Sequence, residues 1–137
     1  MRRESIALLS LVLLVAGCAS NPAAVAGRWT GTWSSIGVND IPRDEPLTLD
    51  LTQSGENGKG RLVMNGTGAA EAVPVAVRDA GMTGVRVWFE VSGSKLWLEH
   101  EQGREFFAAK AVVSGERMRG HILDTQPEIR FELTREP

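Results

Sequence analysis

Leu47-Thr48-Leu49-Asp50-Leu51-Thr52 decides the fold of this chain. Three leucines alternate with three polar residues, and a period of two sends the leucines to one side of an extended strand and the polar residues to the other. The same alternation recurs twice. Val87, Phe89 and Val91 lie between Arg86, Trp88 and Glu90, and Ile129, Phe131 and Leu133 lie between Arg130, Glu132 and Thr134. One apolar face and one wet face are the signature of antiparallel pairing.

Working outward, further strands are predicted over residues 27–35, 61–66, 72–78, 96–101, 105–113 and 118–124. The segments between them are rich in turn formers: Ser54 to Gly60, Asp79-Ala80-Gly81, Ser92-Gly93-Ser94, Gln102-Gly103 and Ser114-Gly115-Glu116. Short strands at this spacing, with glycine-bearing turns and no convincing helical stretch, predict an all-β protein. The expected architecture is an antiparallel up-and-down meander closing into an eight- or nine-stranded barrel. Closure removes the exposed edges that an open sheet would leave. A two-sheet β-sandwich is the alternative. Leu47, Leu49, Leu51, Leu62, Met64, Val87, Phe89, Leu96, Leu98, Phe131 and Leu133 are the expected inward set. They either fill the barrel or line an apolar pocket.

The opposite end of the hydropathy range lies at residues 1–17. Arg2 and Arg3 precede an apolar run from Ile6 to Ala16, and small residues close it. That order is the order of a secretory signal. Eleven residues are too few to span a bilayer, which takes about 20. Val15-Ala16-Gly17-Cys18 resembles the lipobox of bacterial lipoprotein signals. The resemblance implies cleavage before Cys18, a diacylglycerol on its sulfur and acyl chains such as palmitate on its new amino terminus. Several chains together give lasting attachment at about 0.8 kcal/mol per buried methylene. Ala19 stands where such signals carry an aspartate for inner-membrane retention. The implied location is therefore the outer membrane, lipid-anchored and facing the periplasm. Residues 18–26, small and flexible, read as a tether, and residues 27–137 as the barrel domain.

Loss of residues 1–17 removes Arg2, Arg3 and Glu4 from 15 basic and 17 acidic side chains. The remaining 120 residues carry 13 and 16, a formal charge of −3 against −2 for the whole chain. This length suits one domain with a real core. With no basic excess, no nucleic-acid partner is expected. Cys18 is the only cysteine, so packing must hold the domain without a disulfide.

Gly27-Arg28-Trp29, echoed at Gly31-Thr32-Trp33, resembles the entry motif of lipocalins and related calycin barrels. The resemblance implies that Trp29 packs across one end of the barrel under an arginine from the last strand, Arg130 or Arg135. A cation–π stack of that kind contributes about 0.5–2 kcal/mol, depending on desolvation. It also implies ligand binding inside the barrel, although the usual lipocalin disulfide is absent.

Catalytic patterns are not evident. His100 lies between Glu99 and Glu101 on a strand, where alternation turns both carboxylates away from the imidazole, and His121 is distant in sequence. The sequence has no Gly-x-Ser-x-Gly elbow and no glycine loop leading into a helix. No catalytic residue, metal or cofactor is expected. Outward aromatic residues are the stronger functional signal. Trp88, Trp97 and one of Phe106 and Phe107 belong to consecutive strands and suit a protein partner or a membrane surface. The loop Gly37 to Pro46 would lie at the barrel mouth, with Asn39, Asp40, Arg43 and Asp44 as contacts. The expectation is a non-enzymatic envelope lipoprotein acting through protein interaction or an envelope-structural role. The alternative is a carrier or sensor for a small apolar ligand.

Overall fold

The computed structural model describes residues 22–35, 44–64 and 73–137. Residues 1–17, expected as a signal, Cys18, and Asn39, Asp40 and Arg43 lie outside these residues. Eight strands form a closed antiparallel barrel in sequence order: β1 (Gly27–Ser35), β2 (Glu45–Ser54), β3 (Asn57–Met64), β4 (Val85–Ser92), β5 (Lys95–His100), β6 (Ala108–Ser114), β7 (Arg117–Ile122) and β8 (Ile129–Arg135). Each strand pairs with its neighbour in the chain, and β8 returns to β1 with Gly31 opposite Leu133 and Trp33 opposite Phe131. The barrel, not the sandwich, is the architecture.

The two ends are built differently. Three hairpins turn at one end through two residues each: Gly55-Glu56, Gly93-Ser94 and Gly115-Glu116. Their glycines have φ of 65°, 59° and 61°. A positive φ at the first central position alone defines the type II′ turn, which matches the twist of the strands it joins. The other end carries the longer connections, including one short helix, α1 (Val75–Ala80).

Two expectations about the strands need correction. Of the strand expected over residues 72–78, the described residues 73–78 form none, and this is why eight strands rather than nine are found among the described residues. Val73, Val75 and Val77 imitate a period of two, but Val73 and Val77 are buried while Val75 is 59% exposed. Burial four residues apart is helical spacing. Pro74 has no N–H to give a sheet and caps the helix start instead, its carbonyl accepting from the N–H groups of Val77 and Arg78 at 3.0 Å. The second correction concerns Ser54 to Gly60, expected as a long turn. Only Gly55 and Glu56 turn, and β3 already runs from Asn57. Gly58 faces inward opposite Phe89, and a Cβ there would collide with the Phe89 ring. Its lack of a side chain makes room for a large residue on the next strand.

The expected inward set is the core. All eleven of its members are at most 7% exposed, and Trp29, Trp33, Met118, Ile122 and Ile129 join them at 2% or less. A hollow wide enough for water would leave its lining atoms accessible. The described residues therefore fill the barrel, as an eight-stranded barrel allows. α1 closes the loop end by packing on β3 and β4 with Val77 buried.

Candidate functional site

A filled interior turns attention to the ends and the outer wall. At the turn end, Trp29 is fully buried, and its indole N–H donates to the carbonyl of Val25 at 2.9 Å. The Arg135 guanidinium carbon lies 4.6 Å from the centre of the Trp29 ring. Arg135 also donates to the carbonyls of Ala26 at 3.1 Å and Ala24 at 2.5 Å. Its Nε sits 3.4 Å from the Glu116 carboxylate, an ionic contact without hydrogen-bond geometry. Arg130 does not take part. It is exposed on the outer wall and pairs with Glu128 at 3.3 Å, because its position is one of the outward ones along β8.

The strap before β1 differs from the flexible tether expected over residues 18–26. Ala23 donates to the carbonyl of Gly93 at 2.9 Å. The Gln53 side chain accepts from the Val25 N–H at 2.7 Å and donates to the Ala23 carbonyl at 2.9 Å. Val25 is fully buried beneath this net. Residues 23–26 therefore belong to the domain and stop its turn end. Sequence reasoning missed them because one valine among alanines has no periodicity. Gln53 gave a fainter signal: it continues the inward register of Leu47, Leu49 and Leu51, where a polar residue needs a partner.

The outer wall carries the two remaining tryptophans. Trp88 on β4 is 45% exposed, with the Lys59 ammonium 4.9 Å from its ring centre. Trp97 on β5 is half-buried between Arg104, at 5.5 Å, and Lys110, at 6.0 Å. The register sets Trp88 against Glu99 and Trp97 against Glu90, so the two rings are offset along adjacent strands rather than opposite one another. Of the two phenylalanines, Phe107 is buried and Phe106 is 43% exposed. Phe106 leans on His100 at 5.4 Å instead of joining the tryptophans.

Shallow grooves run along this wall. One is lined by Lys95, Trp97, Lys110 and Arg119, with Glu56 and Glu90 among its other residues. A second lies beside Trp88, Lys59, Arg61 and Arg86. Arg61 and Arg86 stand directly opposite across β3 and β4, a like-charge pair that opposes sheet formation slightly. Elsewhere, Arg28 donates to Asp50 at 2.7 Å, and that hydrogen bond, with the carboxylate's charge, raises the Arg28 pKa above its ordinary value.

His100 accepts from the Gln102 N–H at Nδ1 over 3.0 Å, and His121 is opposite Lys110 and Arg130. The two histidines are thus on β5 and β7 with β6 between them, and among the described residues no cluster of His, Cys, Asp and Glu could hold a metal ion. Asp44 is exposed just ahead of β2 at the loop end. Compared with family models, with curated proteins and with solved structures, the chain matches none.

Proposed function

We propose that this chain is a lipid-anchored lipoprotein of the bacterial envelope that acts through the outside of a closed barrel, as a protein-interaction or envelope-structural module rather than an enzyme. The anchor reading is supported by the charged start, the apolar run and the lipobox-like Val15-Ala16-Gly17-Cys18. Ala19 supports the outer membrane, with the domain facing the periplasm. The packing of Trp29 beneath Arg135 supports kinship with the calycin barrels.

One observation carries the surface role: the eleven inward apolar side chains are at most 7% exposed, which supports a packed interior rather than a ligand pocket. An apolar cargo would need an interior volume of several hundred Å³. What this domain offers a partner is its wall, where Trp88, Trp97 and their flanking cations are accessible.

Native mass spectrometry of protein gently extracted from membranes tests both parts. The expected species starts at Cys18, carries the mass of a diacylglycerol and acyl chain, and holds no small apolar molecule. A Cys18→Ser chain should keep residues 1–17 and lack the lipid mass. Normal processing of that variant would refute the anchor, and a stoichiometric apolar ligand on the native chain would refute the surface role.

A further inference from the structure

The outward side chains of three neighbouring strands form one surface. They are Lys95, Trp97 and Glu99 on β5, Lys110 and Val112 on β6, and Arg117, Arg119 and His121 on β7. The register aligns Lys95, Val112 and Arg119 in one row and Trp97, Lys110 and His121 in the next. On these three strands four cations stand with one carboxylate, Glu99, while Glu90 on β4 and Glu132 on β8 flank them. Among the described residues only Arg119 of the four is in an ion pair, with Glu132 on β8. Val112 is 54% exposed in the middle of the surface. The opposite wall is different: β1 and β2 present Thr30, Thr32, Thr48 and Thr52, and their charged pair, Arg28 and Asp50, neutralises itself. Lys59, Arg61 and Arg86 beside Trp88 form a second cationic patch on β3 and β4, but the chain ahead of β1 is bonded to the turn that leads into β5.

A second observation concerns where the chain enters the domain. The Ala23 N–H is bonded to the carbonyl of Gly93, in the turn between β4 and β5. Lys95 follows two residues later. The chain ahead of Ala23 therefore joins the barrel at the head of the cationic surface. Cys18 precedes Ala23 by five residues, which span about 18 Å at most when fully extended.

The geometry points to the β5–β7 wall as a membrane-docking face, lying against the anionic phospholipid headgroups of the bilayer that holds the anchor. This rests on the lipid-anchor reading and names what the wall meets. Lys95, Lys110, Arg117 and Arg119 face the phosphates, and Trp97 sits at headgroup depth, where an amphipathic ring is favoured. Juxtamembrane cations are attracted to anionic leaflets individually and over a Debye length. A short tether makes that encounter intramolecular, so weak attraction is enough. An acidic protein segment would share the charge complementarity, but the short tether to Cys18 keeps this wall within reach of the bilayer.

The test uses the full lipidated protein, reconstituted into vesicles of phosphatidylcholine alone or mixed with phosphatidylglycerol, each with a lipid brominated just below the headgroup. Tryptophan quenching reports docking. Quenching is expected with phosphatidylglycerol, weaker without it, and reduced by high salt. In a Trp88→Phe background, which removes the other exposed indole, Trp97→Phe should remove most of the quenched emission, because Trp29 and Trp33 are sealed in the core. Lys95→Gln and Lys110→Gln should each lower the docked-to-undocked ratio about fivefold. Equal quenching in both vesicles, or indifference to those two substitutions, overturns the docking face. Emission that responds to added polyglutamate but not to phosphatidylglycerol also overturns it, in favour of an acidic protein partner. Vesicle flotation and the mass of the mature chain separate the two failures. A chain that floats and carries lipid but is not quenched loses only the docking face. A chain without lipid loses the anchor as well.

Discussion

The two ends of the barrel hold themselves together in different ways. At the turn end, the strap of residues 23–26 is fastened by Gly93, Gln53, Trp29 and Arg135, and Val25 is sealed under it. At the loop end, α1 is a helix of six residues with Val77 as its one buried residue, while Val75 is 59% and Met82 75% exposed. One end is a bonded stopper and the other a lightly seated cover. The difference places local stability at the turn end, next to the segment that leads to Cys18. A load applied through an anchor would therefore reach the part of the fold best tied to the sheet.

Trp29 is where this contrast is easiest to break. The side chain is fully buried, it donates to the Val25 carbonyl, and its ring lies under Arg135. Trp29→Ala removes all three contacts and leaves a cavity at the barrel end, and the expected loss is about 3–5 kcal/mol. Urea unfolding followed by circular dichroism measures it. A midpoint unchanged within error would mean that the turn end does not carry the stability assigned to it.

The same contrast explains what was legible in the sequence. Alternation of Leu47, Leu49 and Leu51 with polar residues gives the strands, because a half-buried sheet imposes its period directly on the chain. The type II′ turns are legible too, since Gly55, Gly93 and Gly115 supply a backbone angle that other residues avoid. Trp29 and Arg135 were reachable through resemblance, which left Arg130 and Arg135 open. Strand parity separates them: Arg135 ends the inward series of Ile129, Phe131 and Leu133, and Arg130 falls on the outward one. α1 was not legible. In a helix this short, Val73, Val75 and Val77 fit either period, and only packing decides which valine is buried. The strap was hidden for another reason. Apart from the Trp29 bond to Val25, its hold on the domain comes from partners 28 to 111 residues away, and no local pattern encodes such contacts.

Arg135→Ala sharpens the comparison by loosening the stopper while leaving the core intact. The substitution removes two hydrogen bonds to the Ala24 and Ala26 carbonyls and uncovers Trp29. Those carbonyls can then turn to water, so the expected loss is about 1–3 kcal/mol, less than for Trp29→Ala. The distinguishing readout is amide hydrogen exchange. The N–H groups of Ala23 and Val25 should exchange faster, while those of Leu49 and Leu98 stay protected in proportion to global stability. Uniform acceleration across the sheet would show that the strap and the barrel open together, not in sequence.

The smallest effect is expected at the cover. Val75 stands on the solvent side of α1, and Pro74 caps the helix through its carbonyl without help from the Val75 side chain. Val75→Ser exchanges an exposed apolar side chain for a polar one of about equal helix propensity, and the change in stability should not exceed about 0.5 kcal/mol. A larger loss would mean that Val75 is covered in solution, either by another molecule or by part of this chain. The loop end would then be a contact surface in its own right, and the assignment of the turn end as the only strongly fastened one among the described residues would fail.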